Sequence, residues 1–253
     1  TLVLPYNQET LVIDLIQTPV WTPDALVRSN MRGVVAFQPG VHYRGVLRGT
    51  EQSLAAFSFF ETDVMGFVSD HTHNNLVLGK VQQANEDAGY IFYSDQELAM
   101  DNPFECMELE PKAMPLENAA LEGASEKSVR VYLEAGHLLV ADRGGLQAAV
   151  NYLSGIFNQV AALYHNEQVR LVLSEIMVWE TSDPYTAGNV QHVLEQFRNT
   201  RSSVHADLVH WVGINNQHPR GIADADALCS SAPAAGCSHV FTAYSSVPTY
   251  SWT

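Results

Sequence analysis

The chain has 253 residues, 46% of them hydrophobic, and a formal net charge of -15 at pH 7, enough apolar material for one large core or two modest ones. Such acidity repels phosphate backbones and argues against a nucleic-acid partner, and no run reaches the roughly 20 apolar residues of a membrane helix. Much of the charge is local: residues 86–126 hold eleven Asp or Glu against the single Lys112, a pattern read as a solvated face.

In chain order, the first part is a succession of short β-type runs with turn residues between them. They are 10–21 (TLVIDLIQTPVW), 33–38 (GVVAFQ), 43–49 (YRGVLRG), 54–60 (LAAFSFF), 64–70 (VMGFVSD), 75–81 (NLVLGKV) and 89–94 (GYIFYS). This spacing predicts an antiparallel β domain over residues 1–115. Residues 111–128, PKAMPLENAALEGASEKS, carry no sustained apolar face and read as exposed, with the linker proper at 116–127.

After the linker the pattern turns to alternating strand and helix. Residues 128–141 (SVRVYLEAGHLLVA) read as a buried strand. Leu146, Ala149, Val150, Leu153, Ile156, Phe157, Val160, Leu163 and Tyr164 then form one stripe at three-four spacing, which predicts a long helix over 146–167. A strand over 168–180 follows, then a helix over 187–201 striped by Val190, Val193, Leu194 and Phe197, then a strand over 206–214. The predicted fold class is therefore α+β/mixed, with an antiparallel β-rich first domain and an α/β second domain on a largely parallel sheet.

Three cysteines are present. Cys229 and Cys237 enclose SSAPAAG, a composition suited to a small disulfide-closed loop and hence to an oxidising compartment; two separate buried thiols are the other reading. Cys106, in NPFECMELE, has no obvious partner. It reads as a small core residue, as a thiol kept free, or as a disulfide partner of Cys229 or Cys237.

Order and spacing over most of the chain resemble a reprolysin-like (adamalysin-type) metzincin precursor. SVRVYLEAGHLLVADRGGLQAAVNYLSGIFNQVAALYHNEQVRLVLSEIMVWETSDPY is similar to the first half of that catalytic domain, with its strand, long helix and strand ending in I-x-x-W. HADLVHWVGI, GIADADALC and CSHVFTAYSS continue the order: third strand, glycine-led loop with a cysteine, antiparallel edge strand. Upstream, HYRGVLRGTEQSLAAFSFFETDVMGFVSDHTHNNLVLGKV resembles the propeptide of the same family.

The resemblance implies a secreted zinc endopeptidase zymogen acting on peptides or proteins, its catalytic domain silenced by its own prodomain. It divides the chain into a β-rich propeptide (1–115), the linker (116–127) and the N-terminal part of a metzincin-like upper subdomain (128–253). In that family zinc is bound by H-E-x-x-H-x-x-G-x-x-H on the next helix, with the Glu as general base. No such motif occurs in these residues, so the ligands are expected C-terminal to Thr253 and this stretch by itself is expected to be inactive. Substrate is expected as an added strand along the edge strand, with His239, Val240, Phe241, Thr242 and Ala243 as its contacts. Cys106, late in the β domain and ahead of the linker, is the candidate thiol to occupy the open zinc position in the latent form, although PFECMELEP departs from the Pro-Lys-x-Cys-Gly pattern of animal enzymes.

The histidines provide little alternative. His71 and His73 are spaced to share one side of a strand, but a polar inter-strand loop is the simpler reading, and His205 with His210 fix no shared face. His137, His165, His192 and His239 read as single helix- or strand-surface residues with satisfied hydrogen bonds. A function of another class also fits the sequence: a non-catalytic secreted binding or adhesion protein built on the same scaffold.

Overall fold

The computed structural model describes residues 1–50, 52–81, 89–98, 105–107, 128–185, 189–201, 204–215, 220–224 and 234–240. The first half runs β1 (Leu2–Tyr6), β2 (Glu9–Gln17), β3 (Trp21–Ser29), β4 (Gly33–Val35), β5 (Val41–Leu47), β6 (Leu54–Phe59), β7 (Val64–Asp70), β8 (Asn74–Lys80), β9 (Tyr90–Ser94) and β10 (Glu105–Met107). The second runs β11 (Ser128–Ala135), α1 (His137–Arg143), α2 (Leu146–Asn166), β12 (Arg170–Val178), α3 (Val190–Thr200), β13 (Leu208–Ile214), β14 (Arg220–Ala223) and β15 (Ala234–Val240). The fold is mixed α+β and rich in strand.

Two sheets organise it. The first is wholly antiparallel, in the order β1-β2-β5-β6-β7-β8-β9. The second has the order β10-β14-β15-β13-β11-β12-β3-β4. Its centre, from β15 across to β3, is parallel, while β14 and β4 run antiparallel to their inner neighbours. Strands from residues 1–107 thus lie at both ends of the sheet built by the second half.

Helix α2 lies between the sheets. Every residue from 152 to 159 is buried, which a surface helix with one apolar stripe would not show. Leu153, Ile156 and Phe157 join Val131, Leu133, Leu173 and Ile176 of the second sheet in one core. Toward the first sheet, buried Asn158 donates to the carbonyls of Tyr43 (3.3 Å) and Phe57 (3.1 Å) and accepts from Arg44 Nε (3.0 Å). The amide gives β5 and β6 partners on the helix that a methyl group could not.

One expectation changes here. The strand read over 128–141 stops at Ala135, because Gly136 caps a new helix and His137–Arg143 forms α1. Gly144 (φ +92°) and Gly145 (φ +120°) then turn the chain into α2, a corner that residues with a Cβ adopt only under strain. Helix α3 follows its predicted stripe: Val190, Val193, Leu194 and Phe197 are buried, and the Asn189 side chain caps its start by accepting from Gln191 N at 2.9 Å.

Candidate functional site

Next to one end of the second sheet lies β14, antiparallel to β15. Ile222 anchors it, 3% exposed, in the core beneath α3 with Val190, Val193, Leu194 and Phe197. Asp224 closes its end: the carboxylate accepts from Ala235 N at 3.1 Å and pairs with Arg198 of α3, and Asp224 N donates to Ala235 O at 2.8 Å. On its inner side β14 pairs with β15 through Gly221↔Ser238, Ile222↔Cys237 and Ala223↔Gly236. On its outer side it carries β10, parallel, with Cys106 opposite Gly221. The strand edge that could take an added peptide is therefore already paired with a segment of the same chain.

This geometry corrects the expected edge strand. His239 and Val240 belong to β15, which is held on one side by β13 and on the other by β14 and is buried along its whole length; Phe241, Thr242 and Ala243 lie outside the described residues. Register sets this: β15 aligns parallel with β13 from Leu208↔Ala234 to Ile214↔Val240, and β14 covers its other edge over residues 236–238. The short GIA run, with few apolar residues of its own, had no signal strong enough to mark β14 as the antiparallel strand.

The β15 side chains are closely fitted. His210 Nε2 meets Ser238 Oγ at 2.9 Å, and burial pushes the His210 pKa down to about 4, so the ring is neutral. A Cβ on Gly236 would fall 2.6 Å from His210 Nδ1, so only glycine leaves room for the ring. His239 is 1% exposed and stands edge-on to Trp211 with ring centroids 5.4 Å apart. Cys237 is a free buried thiol, 3.4 Å from Val190 O, with burial raising its pKa to about 12. It is not joined in the expected bridge, because its sulfur points into the α3 core; Cys229 lies outside the described residues.

The sequence reading missed a buried carboxylate, Glu134, in the middle of VYLEA. It is wholly buried and accepts from Tyr132 Oη (2.7 Å), Tyr185 Oη (2.8 Å), Arg201 Nε (2.6 Å), Arg201 Nη2 (3.1 Å) and Trp179 Nε1. Burial first, and the carboxylate next, hold both tyrosine hydroxyls well above their ordinary pKa. Burial opposes the Arg201 charge, but its bonds and attraction to Glu134 outweigh that and keep it protonated. With five donors on its two oxygens, Glu134 ties α3 and β12 to β11. A lone acid within an apolar strand was the available signal.

The histidine pairs have ordinary partners. His73 bridges Asp70 (2.7 Å) and Glu9 (2.9 Å), and His71 meets Gln52 at 2.7 Å. Among the described residues no group of three His, Cys, Asp or Glu is placed to hold a metal, so the described residues do not form a zinc site. Nor is any described helix long and apolar enough to cross a membrane.

Comparison with known proteins places these observations. The sequence profile of metallo-peptidase family M12 matches residues 125–253, half of the chain. Among solved structures, the crystal structure of metalloproteinase-II from Bacteroides fragilis aligns with a TM-score of 0.49 at 10% identity, covering 97% of this chain and 76% of that one. No curated protein matches.

Proposed function

The chain belongs to metallo-peptidase family M12, and from that premise we propose that it is the latent precursor of a secreted zinc endopeptidase. Residues 1–115 act as prosegment, 116–127 as linker and 128–253 as the N-terminal part of the catalytic domain. The observation that carries this reading is β10 on β14: a strand of the prosegment fills the backbone edge of the antiparallel strand, the position at which metzincins lay a substrate peptide. A peptide that must hydrogen-bond along β14 competes with β10. The substrate edge on this reading is Arg220–Ala223.

Zinc, on which family M12 peptidases generally depend, would supply water activation and polarisation of the scissile carbonyl, held by residues outside those described. The part of this chain in that chemistry is to present and, while latent, to obstruct the β14 edge. The backbone of Cys106 sits on that edge opposite Gly221, which supports its thiol as the blocking group for the metal.

The test is the peptidase activity of the full gene product on a quenched fluorescent peptide library, before any processing. Cys106→Ala is expected to raise activity of the unprocessed protein several-fold, and chelator to abolish it. Unchanged latency in the variant would remove Cys106 from the mechanism. Absence of chelator-sensitive hydrolysis after release of residues 1–127 would overturn the peptidase reading itself.

A further inference from the structure

Strands β3 and β4 are taken from the middle of the antiparallel prosegment and placed in the other sheet. Residues 18–20 are all that separate β2 of the first sheet from β3 of the second. There β3 lies parallel to β12, from Trp21 opposite Leu173 to Ser29 opposite Val178. The ladder is extended at both ends, by Leu173 N donating to Val20 O at 2.8 Å and Asn30 N to Val178 O at 3.2 Å. The register jumps where Pro23 sits, since Trp21 to Leu26 spans only Leu173 to Glu175 on the partner. A proline that cannot donate to a ladder is accommodated in such a bulge.

Three kinds of contact hold this arm. Val20 and Val27, 1% and 0% exposed, enter the core shared by α2, β11 and β12. Charges pair across the joint: Arg28 with Glu175 (2.8 Å), Arg32 with both oxygens of Glu180 (3.0 and 2.8 Å), and Asp24 with Arg130 (2.9 Å). The turn after β3 is sewn to the end of β12, with Glu180 N donating to Asn30 Oδ1 (2.8 Å), Asn30 Nδ2 to Thr181 Oγ1 (2.6 Å), and Ser29 Oγ to Glu180. The signs matter: the arm offers two cations to two anions and one anion to a cation, so a slip in register would break all three pairs.

We infer that residues 20–35 are a docking strand for the open edge of β12, and that this strand keeps the N-terminal and C-terminal parts together after the chain between them is cut. Cleavage in the linker is then not release; release requires β3 to leave the sheet. The inference concerns assembly and stands whether or not the chain is a peptidase precursor.

The experiment replaces residues 116–127 of the full chain with a Gly-Ser-flanked recognition site for a specific protease, cuts to completion as judged on a denaturing gel, and follows the products by native size-exclusion chromatography on dilution. The expected result is a single co-eluting species; separation of the two fragments would overturn the inference. Arg28→Glu with Arg32→Glu, checked for folding before the cut, is expected to shorten the lifetime of the cut complex by about tenfold or more, and adding Glu175→Arg with Glu180→Arg to restore it. Should the first reversal destabilise the uncut chain, Arg28→Gln with Arg32→Gln gives a smaller shortening of the same sign. A lifetime unmoved by either pair, or not restored by the swap, would mean that the first sheet on α2 and β10 on β14 hold the parts without it, and would refute the docking role of β3.

Discussion

At the scale of single residues, the strongest commitments are polar groups inside apolar surroundings. Glu134 is stabilised only because five donors converge on it, and each donor depends on it in return. Glu134→Ala would leave Arg201 without its counter-charge and three further donors without acceptors, and is expected to cost about 3–5 kcal/mol, read as a lower urea midpoint for the whole chain. Glu134→Gln keeps the shape and some acceptors and should cost less. Asn158 has a similar position between helix and sheet. Both residues would be scored as surface types from composition, and only their neighbours make them internal.

Between elements, close approach decides what a strand or helix tolerates. On β5, a Cβ at Gly45 would overlap the carbonyl oxygen of Asp14 on β2, whereas one at Gly155 of α2 would fall 2.5 Å from Met65 Sδ. Backbone cannot yield and a thioether can, so Gly45→Ala is expected to destabilise by several kcal/mol and Gly155→Ala by about 1–3 kcal/mol, compared by thermal or urea unfolding. The β1–β2 turn is clasped to the β7–β8 turn by His73 between Asp70 and Glu9. Burial lowers the His73 pKa, but its bonds to Asp70 and Glu9 more than offset this and leave it raised. Burial likewise raises that of Asp70, while its bonds to His73 and Thr72 leave it lowered. The clasp therefore contributes in full below the unfolded histidine pKa of about 6.5, down to that of a free aspartate near 3.9. It weakens as pH rises through the raised His73 value or falls through the lowered Asp70 value. The stability difference between the wild type and His73→Gln, measured by urea unfolding, should shrink from pH 6 to pH 9; a difference that does not change would exclude the clasp.

For the whole molecule, α2 is common property of both sheets, and β3 and β10 cross from one half of the chain into the sheet of the other. Two separable domains would unfold in two steps; here the first sheet has a core of its own, but α2 packs on it as well as on the second sheet and couples the two. The expected outcome is one urea transition reported alike by circular dichroism and by tryptophan fluorescence, whose four reporters, Trp21, Trp179, Trp211 and Trp252, lie at different points of the chain. Non-coincident curves would show that the halves are independent.

Local pattern was enough for most of this protein. The stripes of α2 and α3 and most of the turn-punctuated β runs are periodicities of one element against one apolar environment and appear near where sequence places them, whereas the run 10–21 divides into β2 and the start of β3, and that over 33–38 ends at Val35. So does the family, because order and spacing over residues 125–253 survive without any single specific motif. What sequence could not assign was partnership. WTPDALVRS, with proline and aspartate in place of alternation, is strand only because β12 accepts it. The strand antiparallel to β15 is Arg220–Ala223, while His239 and Val240 of the HVFTAY run lie in β15, parallel to β13. Periodicity records which face of an element is buried; which backbone edge is free depends on every other strand in the sheet, and that is settled only when the chain has folded.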